Sequence, residues 1–333
     1  MSMLEIQNVT HTYSSGTGRP VLKDVSLEAG RGDVVAIVGE SGCGKTTLGR
    51  MIAGLYSPTG GSISFDGQDI SALRGRARAA WRRKVQMIHQ DPYGSLNPGL
   101  TIGATLSPGM LKYGLATRAN VQERMLALLK AVGLDATTDF LQRYPHQLSG
   151  GQRQRAAIAR SIALEPELIV ADEVTSMLDV SMRVAILDLL LTFKKDRGIT
   201  FVFISHDFGV VRYFAQGGRI AVMFFGYIVE EGPTEEVITA PKHPYTHMLL
   251  EAIPIPDPAM ARERAQAEGD GRLTGDPADS GCVFANRCPL ARARCRAERP
   301  ALVDQGGGHS TACHFSDEVP PLLHVELANG EAA

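Results

Sequence analysis

The densest chemistry in this 333-residue chain sits in Gly39-Glu40-Ser41-Gly42-Cys43-Gly44-Lys45-Thr46. The stretch fits G-x-x-x-x-G-K-[ST], whose glycines let backbone N–H groups curl around phosphates. The N-terminus of the following helix adds a positive partial charge. Lys45 is expected to reach the β- and γ-phosphates of a nucleoside triphosphate, and the Thr46 hydroxyl to ligate Mg²⁺. A Gly-rich turn that binds nothing is the bland alternative, and the flanks argue against it. The apolar run Val34–Val38 precedes the motif and the helix-like run Thr47–Ala53 follows it, which is the strand–loop–helix context such a loop requires. Binding of a nucleoside triphosphate is the first expectation.

Two later stretches could complete a hydrolytic site. Asp172 closes the apolar run Leu168-Ile169-Val170-Ala171 and is followed by Glu173. An aspartate there can hold Mg²⁺ through water, and the neighbouring glutamate can orient and deprotonate an attacking water. An acidic strand end near solvent explains that pair equally well when it is taken alone. Leu148-Ser149-Gly150-Gly151-Gln152 opens a helix whose N-terminus suits an anion, or is an ordinary serine cap after a loop.

The elements that must position these residues fall into three zones. Up to about Met87 the chain alternates short strands, Gly-containing turns and one helix, a nucleotide-binding α/β pattern. Gln90 to about Arg160 reads as helical, with apolar spacing at Val121, Met125, Leu126, Leu128, Leu129 and Val132 and turn signals at Asp91-Pro92 and Asn97-Pro98-Gly99. Leu168–Ala171 and Ile199–Ile204 are continuous apolar runs, as expected of parallel strands buried on both faces. After Ile253 the composition changes. Pro254, Pro256 and Pro258 follow, no lysine occurs beyond Lys242, and four of the five cysteines lie there. A domain boundary is expected at that point.

Composition narrows the classes. A formal net charge of −2 gives no global footprint for nucleic acid. The one strong charge run, Arg74 to Lys84, is read as a solvated face ahead of a lipid or nucleic-acid patch. The longest apolar runs, near Phe201–Ile204 and Ile220–Val229, are too short to span a membrane, and the first residues do not read as a signal peptide. Any membrane role must come through a partner.

In order and spacing, residues 1 to about 250 resemble the ATP-binding subunits of ABC transporters. Tyr13 matches the aromatic that stacks on adenine, Gly39–Thr46 with Thr47 the phosphate loop, and Gln90 the Q-loop. Ser149, Gly150, Gly151 and Gln152 match the signature, Asp172 and Glu173 the Walker B pair, Asp179 the D-loop, and His206 the switch histidine. The resemblance implies an α/β P-loop NTPase fold of ABC type over residues 1–253. It would comprise a RecA-like core, an antiparallel β subdomain and a helical signature subdomain at about 91–160. It implies catalytic roles for Glu173, His206, Lys45 and Gln90, Mg²⁺ at Thr46, Gln90 and Asp172, and ATP sandwiched between two such subunits. The signature of one chain would then close on the γ-phosphate held by the other.

A narrower likeness comes from Gln90–Pro98, from Pro241-Lys242-His243-Pro244-Tyr245-Thr246 and from the stretch opening at Gly281-Cys282. These resemble the oligopeptide/dipeptide, and related nickel, importer ATPases of prokaryotes. That family implies a peripheral position on the cytoplasmic face of the inner membrane, with two permeases, an extracytoplasmic solute-binding protein and a second ATPase, copy or paralogue, as partners. Nucleic acid is not among them. His89, Val174 and Met177 depart from the family pattern, and Phe224-Phe225-Gly226-Tyr227 is more aromatic than the usual strand. Val174 and Met177 are expected to flank the interface between the two ATPases. None of these removes a catalytic group.

Cys282, Cys288, Cys295 and Cys313 lack the close C-x2–4-C knuckles of ordinary zinc sites, and a disulfide framework does not suit a cytoplasmic enzyme. The family resemblance implies a [4Fe–4S] cluster in a Cys-rich extension over 254–333, with zinc or unliganded thiols as the alternatives. Cys43 reads as packing within the phosphate loop. The competing functional class is a soluble ABC-type ATPase acting on nucleic acid or ribosomes. It would call for long coiled coils, a second ATPase domain or a basic surface, and the sequence has none of these. A regulatory ATPase without a transport role is a third class.

Overall fold

The structure is a computed structural model that describes residues 2–14, 18–253, 277–278 and 280–322. The chain divides into two compact units, Met1–His11, Ser26–Val35 and Thr46–Ile204 in the first, and Thr12–Val25, Ala36–Lys45 and Ser205–Ala333 in the second. The expected boundary at 253/254 opens onto residues 254–276, which lie outside the described residues.

The chain begins with β1 (Leu4–His11), β2 (Leu22–Ala29), β3 (Val34–Val38), α1 (Lys45–Ile52), β4 (Gly60–Phe65) and β5 (Gln68–Asp69). In the first unit, the later half of β2, then β1, β4 and β5 lie side by side in one sheet, in which β1 and β4 run antiparallel with Leu4 opposite Phe65 and Ile6 opposite Ile63. Leu4, Ile6, Val9 and His11 are buried, so strict alternation breaks once, at Gln7-Asn8. A bulge absorbs the extra residue: the register shifts there and Asn8 takes φ 50°. Opposite it, a side chain on Gly61 would place Cβ 2.4 Å from the carbonyl oxygens of Gln7 and Asn8. Glycine is required at that crossing.

Next come α2 (Gly75–Lys84), β6 (Val85–Ile88), α3 (Pro92–Ser95), α4 (Ile102–Lys112), α5 (Val121–Ala131), α6 (Thr138–Gln142), α7 (Gly150–Ile162), β7 (Leu168–Asp172), α8 (Val180–Arg197) and β8 (Thr200–Ile204). The arginine-rich run forms α2, in which only Trp81 is buried, a solvated face as expected. The zone from 90 to 160 is helical. Met125, Leu128 and Leu129 form the buried stripe of α5, and Asn97 Oδ1 accepts from Gly99 N to close the predicted turn. β6, β7 and β8 are parallel and in register, with Met87 beside Val170 and Val170 beside Val202. Every residue of β7 and β8 is buried, because helical layers cover both faces of a parallel sheet.

The second unit adds α9 (Phe208–Phe214), β9 (Arg219–Phe224), β10 (Tyr227–Pro233), α10 (Thr234–Thr239), α11 (Pro244–Glu251), α12 (Ala293–Ala297), β11 (Val303–Asp304) and β12 (Ser310–Thr311). Its strands are ordered β11-β12-β10-β9 and then the end of β3. The apolar run Ile220–Val229 is two strands. β9 and β10 are antiparallel and joined at Phe225 and Gly226, both at positive φ (42° and 88°), the conformation of a tight hairpin turn. The aromatic Phe224–Tyr227 stretch is therefore this turn and its shoulders. β12 pairs with β10, Thr311 opposite Glu230. Among the described residues no helix is long and apolar enough to cross a membrane.

Candidate functional site

The phosphate-loop candidate follows directly from β3. Gly39, Gly42 and Gly44 have φ of 150°, 83° and 114°, where side-chain-bearing residues are strained. Two of them are also hemmed in. A Cβ on Gly39 would lie 2.1 Å from the carbonyl oxygen of Met223, and one on Gly44 would lie 2.8 Å from Leu22 Cδ2. The loop thus owes its shape to glycine at both ends. Lys45 is buried, and its Nζ donates to the carbonyls of Gly39 (2.7 Å) and Glu40 (2.9 Å). Its third donor meets only the Cys43 sulfur, at 4.0 Å, a weak acceptor that an anion can displace. Cys43 is buried, and desolvation pushes its thiol up, as suits a packing residue and not a nucleophile.

Two further residues grip this loop, and sequence reasoning missed both. The Tyr245 hydroxyl accepts from the backbone N–H of Glu40 at 2.9 Å. The Arg287 guanidinium donates twice to the Glu40 carboxylate, at 2.6 and 3.0 Å. Both lie in stretches that carry the family likeness, but nothing local ties either to the loop, which each reaches from more than 200 positions away.

In the first unit a second group assembles at strand ends. Asp172 ends β7, and its Oδ1 accepts from Thr46 Oγ1 at 3.1 Å. Gln90 follows β6, which pairs in register with β7, Ile88 beside Ala171. That register brings the Gln90 amide to the Glu173 carboxylate, Nε2 donating to Oε2 at 2.8 Å. Glu173 takes φ 47° and its N–H donates to the Ile204 carbonyl, so its backbone is held in a conformation a glutamate seldom adopts. Thr46, Arg50, His89, Gln90, Asp172 and Arg160 line a cleft of about 400 Å³. Ligands of open α/β sheets bind beyond such carboxyl strand ends. Burial, with Arg160 and Arg50 nearby, keeps the His89 pKa below its ordinary value. The hydroxyl, carboxylate and amide oxygens offered by Thr46, Asp172 and Gln90 are the hard donors that Mg²⁺ takes, and it needs few of them when phosphates supply the rest.

Ser149 caps α7. Its Oγ accepts from Gln152 N at 3.3 Å while Gln152 Oε1 accepts from Ser149 N at 3.0 Å. The cap and an anion site are compatible, because Gly150 faces open space. Gly151 is closed off, since a Cβ there would lie 1.9 Å from Met182 Cε. Asp179 caps α8, accepting from Met182 N and Ser181 Oγ, and these bonds hold its carboxyl below the usual range. Of the two departures near the Walker B pair, Val174 is core and Met177 is 60% exposed. In the second unit Tyr13 stands two residues past β1, and His206 is exposed just after β8.

Cys282, Cys288, Cys295 and Cys313 come from segments with little regular structure, yet all four line one small cavity with Phe284, Leu290 and Phe315. Burial and the neighbouring sulfurs push Cys288 up to about 12 and Cys313 up to about 11. Among the described residues no group of three or more His, Cys, Asp or Glu is arranged as a ready-made ligand set for a metal ion. What the four share is thiol chemistry and one cavity, without a formed ligand set.

Residues 22–176 match the family model described as ABC transporter, and residues 229–295 match the one described as oligopeptide/dipeptide transporter, C-terminal region. A Sinorhizobium fredii protein named "Probable peptide ABC transporter ATP-binding protein" is 44% identical over 321 residues, 94% of this chain and 90% of that one. The dipeptide transport ATP-binding protein DppF of Haemophilus influenzae is 40% identical over 296 residues, 89% of each chain. Among solved structures, the dimeric post-hydrolysis state of the ATP-binding cassette MJ0796, bound to ADP and Pi, superposes with a TM-score of 0.61. It is 34% identical, over 70% of this chain and 99% of that one.

Proposed function

The chain belongs to the ATP-binding subunits of ABC transporters, and on that premise we propose that it is the ATPase motor of an importer for short peptides. The peptide assignment is supported by the C-terminal region matched at 229–295 and by relatives named for peptide and dipeptide transport. The hydrolytic site is carried by one observation, the Thr46–Asp172 and Gln90–Glu173 pairs at the ends of parallel strands.

In this reading Lys45 is the point charge on the β- and γ-phosphates. Thr46, Asp172 and Gln90 hold Mg²⁺, which when bound neutralises charge on the phosphate oxygens. Gln90 orients the Glu173 carboxylate. Glu173 accepts a proton from water as the water oxygen bonds to the γ-phosphorus and the bond to the ADP oxygen breaks. His206 meets the γ-phosphate and Tyr13 stacks on adenine. Ser149, Gly150, Gly151, Gln152 and Asp179 act on the nucleotide of a second ATPase subunit, copy or paralogue. The dimeric state of MJ0796 with ADP and Pi supports such a pairing.

Residues 1–253 form the ATPase and 254–333 the extension in this reading. The ATPase docks on two permeases at the cytoplasmic face of the plasma membrane, and a solute-binding protein outside selects the cargo. Cys282, Cys288, Cys295 and Cys313 hold a structural [4Fe–4S] cluster, supported by their shared cavity. Four thiolates meet the donor requirement of such a cluster. Anaerobically purified protein should be brown with about four irons per chain, and Cys295→Ser should bleach it. Colourless protein with one zinc per chain would replace the cluster while leaving its structural role.

Transport is tested in proteoliposomes carrying the subunit with its permeases. ATP hydrolysis should rise when a peptide-loaded binding protein is supplied. Stimulation by ribosomes or DNA, with indifference to permeases, would sink the importer reading.

A further inference from the structure

Glu40 places a carboxylate within a loop built to receive a triphosphate. Left alone, that charge opposes the ligand. The structure surrounds it with groups from outside the loop. The Arg287 guanidinium binds it in two-pronged fashion, Nη2 to Oε1 at 2.6 Å and Nη1 to Oε2 at 3.0 Å, the planar geometry that makes arginine–carboxylate pairs strong. Arg287 is itself held in place. Its side chain is 13% exposed. Its guanidinium carbon lies 5.3 Å from the Phe224 ring centre and 5.9 Å from that of Phe284, within range of a cation–π attraction.

The same aromatic cluster reaches the loop by a second route. Phe284 is fully buried and packs on Tyr245 at 5.4 Å and on Phe224 at 5.2 Å. Tyr245, also fully buried, accepts the Glu40 backbone N–H. Phe224 ends β9, whose Met223 carbonyl abuts Gly39, and Gly226 N donates to the Cys43 carbonyl at 2.8 Å. Both the side chain and the N–H of Glu40 are thus turned to partners outside the loop. Arg287 and Phe284 lie between Cys282 and Cys288.

From this geometry we infer that Arg287 is a positioning residue of the ATP site. It neutralises Glu40 and holds the phosphate loop open for nucleotide, so that the Cys-rich segment sets nucleotide affinity. The inference rests on reading Gly39–Thr46 as the ATP site. Without Arg287 the Glu40 carboxylate is left uncompensated beside a loop that must take a triphosphate; without Glu40 as well, no such penalty remains.

The test is binding of the non-hydrolysable analogue AMP-PNP with Mg²⁺ by titration calorimetry on the full chain, with steady-state ATPase kinetics alongside. Arg287→Ala should weaken binding about tenfold, the worth of one charge-assisted pair, raising KM while kcat at saturation changes little. Arg287→Lys should recover part of the affinity. Glu40→Gln should bind at least as tightly as the unaltered protein, and Arg287→Ala added to it should cost less than about threefold. Arg287→Gln, which keeps most of the stem between the two rings, serves where the alanine variant does not fold. Unchanged affinity in the Arg287 variants would overturn the inference, as would equal losses with and without Glu40. Absence of nucleotide binding in the unaltered protein would instead overturn the ATP-site reading itself.

Discussion

The strand-end site of the first unit and the Cys-rich segment of the second are built by opposite means. Thr46, Gln90, Asp172 and Glu173 stand at the ends of regular elements, where strand pairing sets their separations and a few hydrogen bonds finish the alignment. Described residues 280–322 contain one five-residue helix, two two-residue strands and a short 3-10 turn. What orders them is side chains: Phe284 on Tyr245, Arg287 on Glu40, and the buried Glu230–His309 pair at 2.7 Å. The first region should therefore lose chemistry before it loses shape when one residue is changed, and the second the reverse.

The largest effect is expected at Glu173. Glu173→Gln keeps the Gln90 contact geometry but removes the proton acceptor, so kcat should fall by about 10² to 10⁴, while calorimetry shows ATP still bound and the melting temperature unmoved. Near-normal turnover would remove Glu173 from the role of base. Glu230 probes the opposite region. Its carboxylate is fully buried and accepts from Lys242 N, His243 N and the His309 ring. Glu230→Ala should cost about 3–5 kcal/mol in chemical denaturation, the price of breaking a buried polar pair. A loss below 1 kcal/mol would show that β10 and β12 do not depend on it.

A pH effect of intermediate size is expected from His243. It is buried, its Nδ1 accepts from Tyr245 N at 3.1 Å, and burial lowers its pKa to about 3. The folded state therefore keeps the ring neutral while the unfolded chain takes up a proton below about 6.5. The stability is present above that pH and is lost as pH falls towards 3, by about 1.4 kcal/mol per unit at the steepest. Urea titrations between pH 7 and 5 should show this decline, and His243→Gln should flatten it. The smallest effect belongs to the α7 cap: Ser149→Ala should cost about 1 kcal/mol, read as a shift in melting temperature. No shift would mean that Ser149 contributes little as a cap.

Much of the phosphate loop and of the strand-end site was legible in the sequence because their determinants are local. The G-x-x-x-x-G-K-T spacing, the apolar runs at β3, β7 and β8, and the Ser149–Gln152 cap each announce themselves within about eight residues, where backbone conformation and hydrophobic period decide the outcome. In the second unit the sequence left one long apolar run, Ile220–Val229, undivided. The turn at Phe225-Gly226 depends on positive φ at a phenylalanine, which propensity does not foresee. The convergence of Gln90 on Glu173 came from strand register, the grip of Tyr245 and Arg287 on Glu40 from packing across the second unit, and the shared cavity of the four cysteines from side-chain contacts between irregular segments. These partners are separated by tens to hundreds of residues. No local pattern encodes such meetings; only the folded chain, by burying the aromatic residues that carry the charged ones, brings them together.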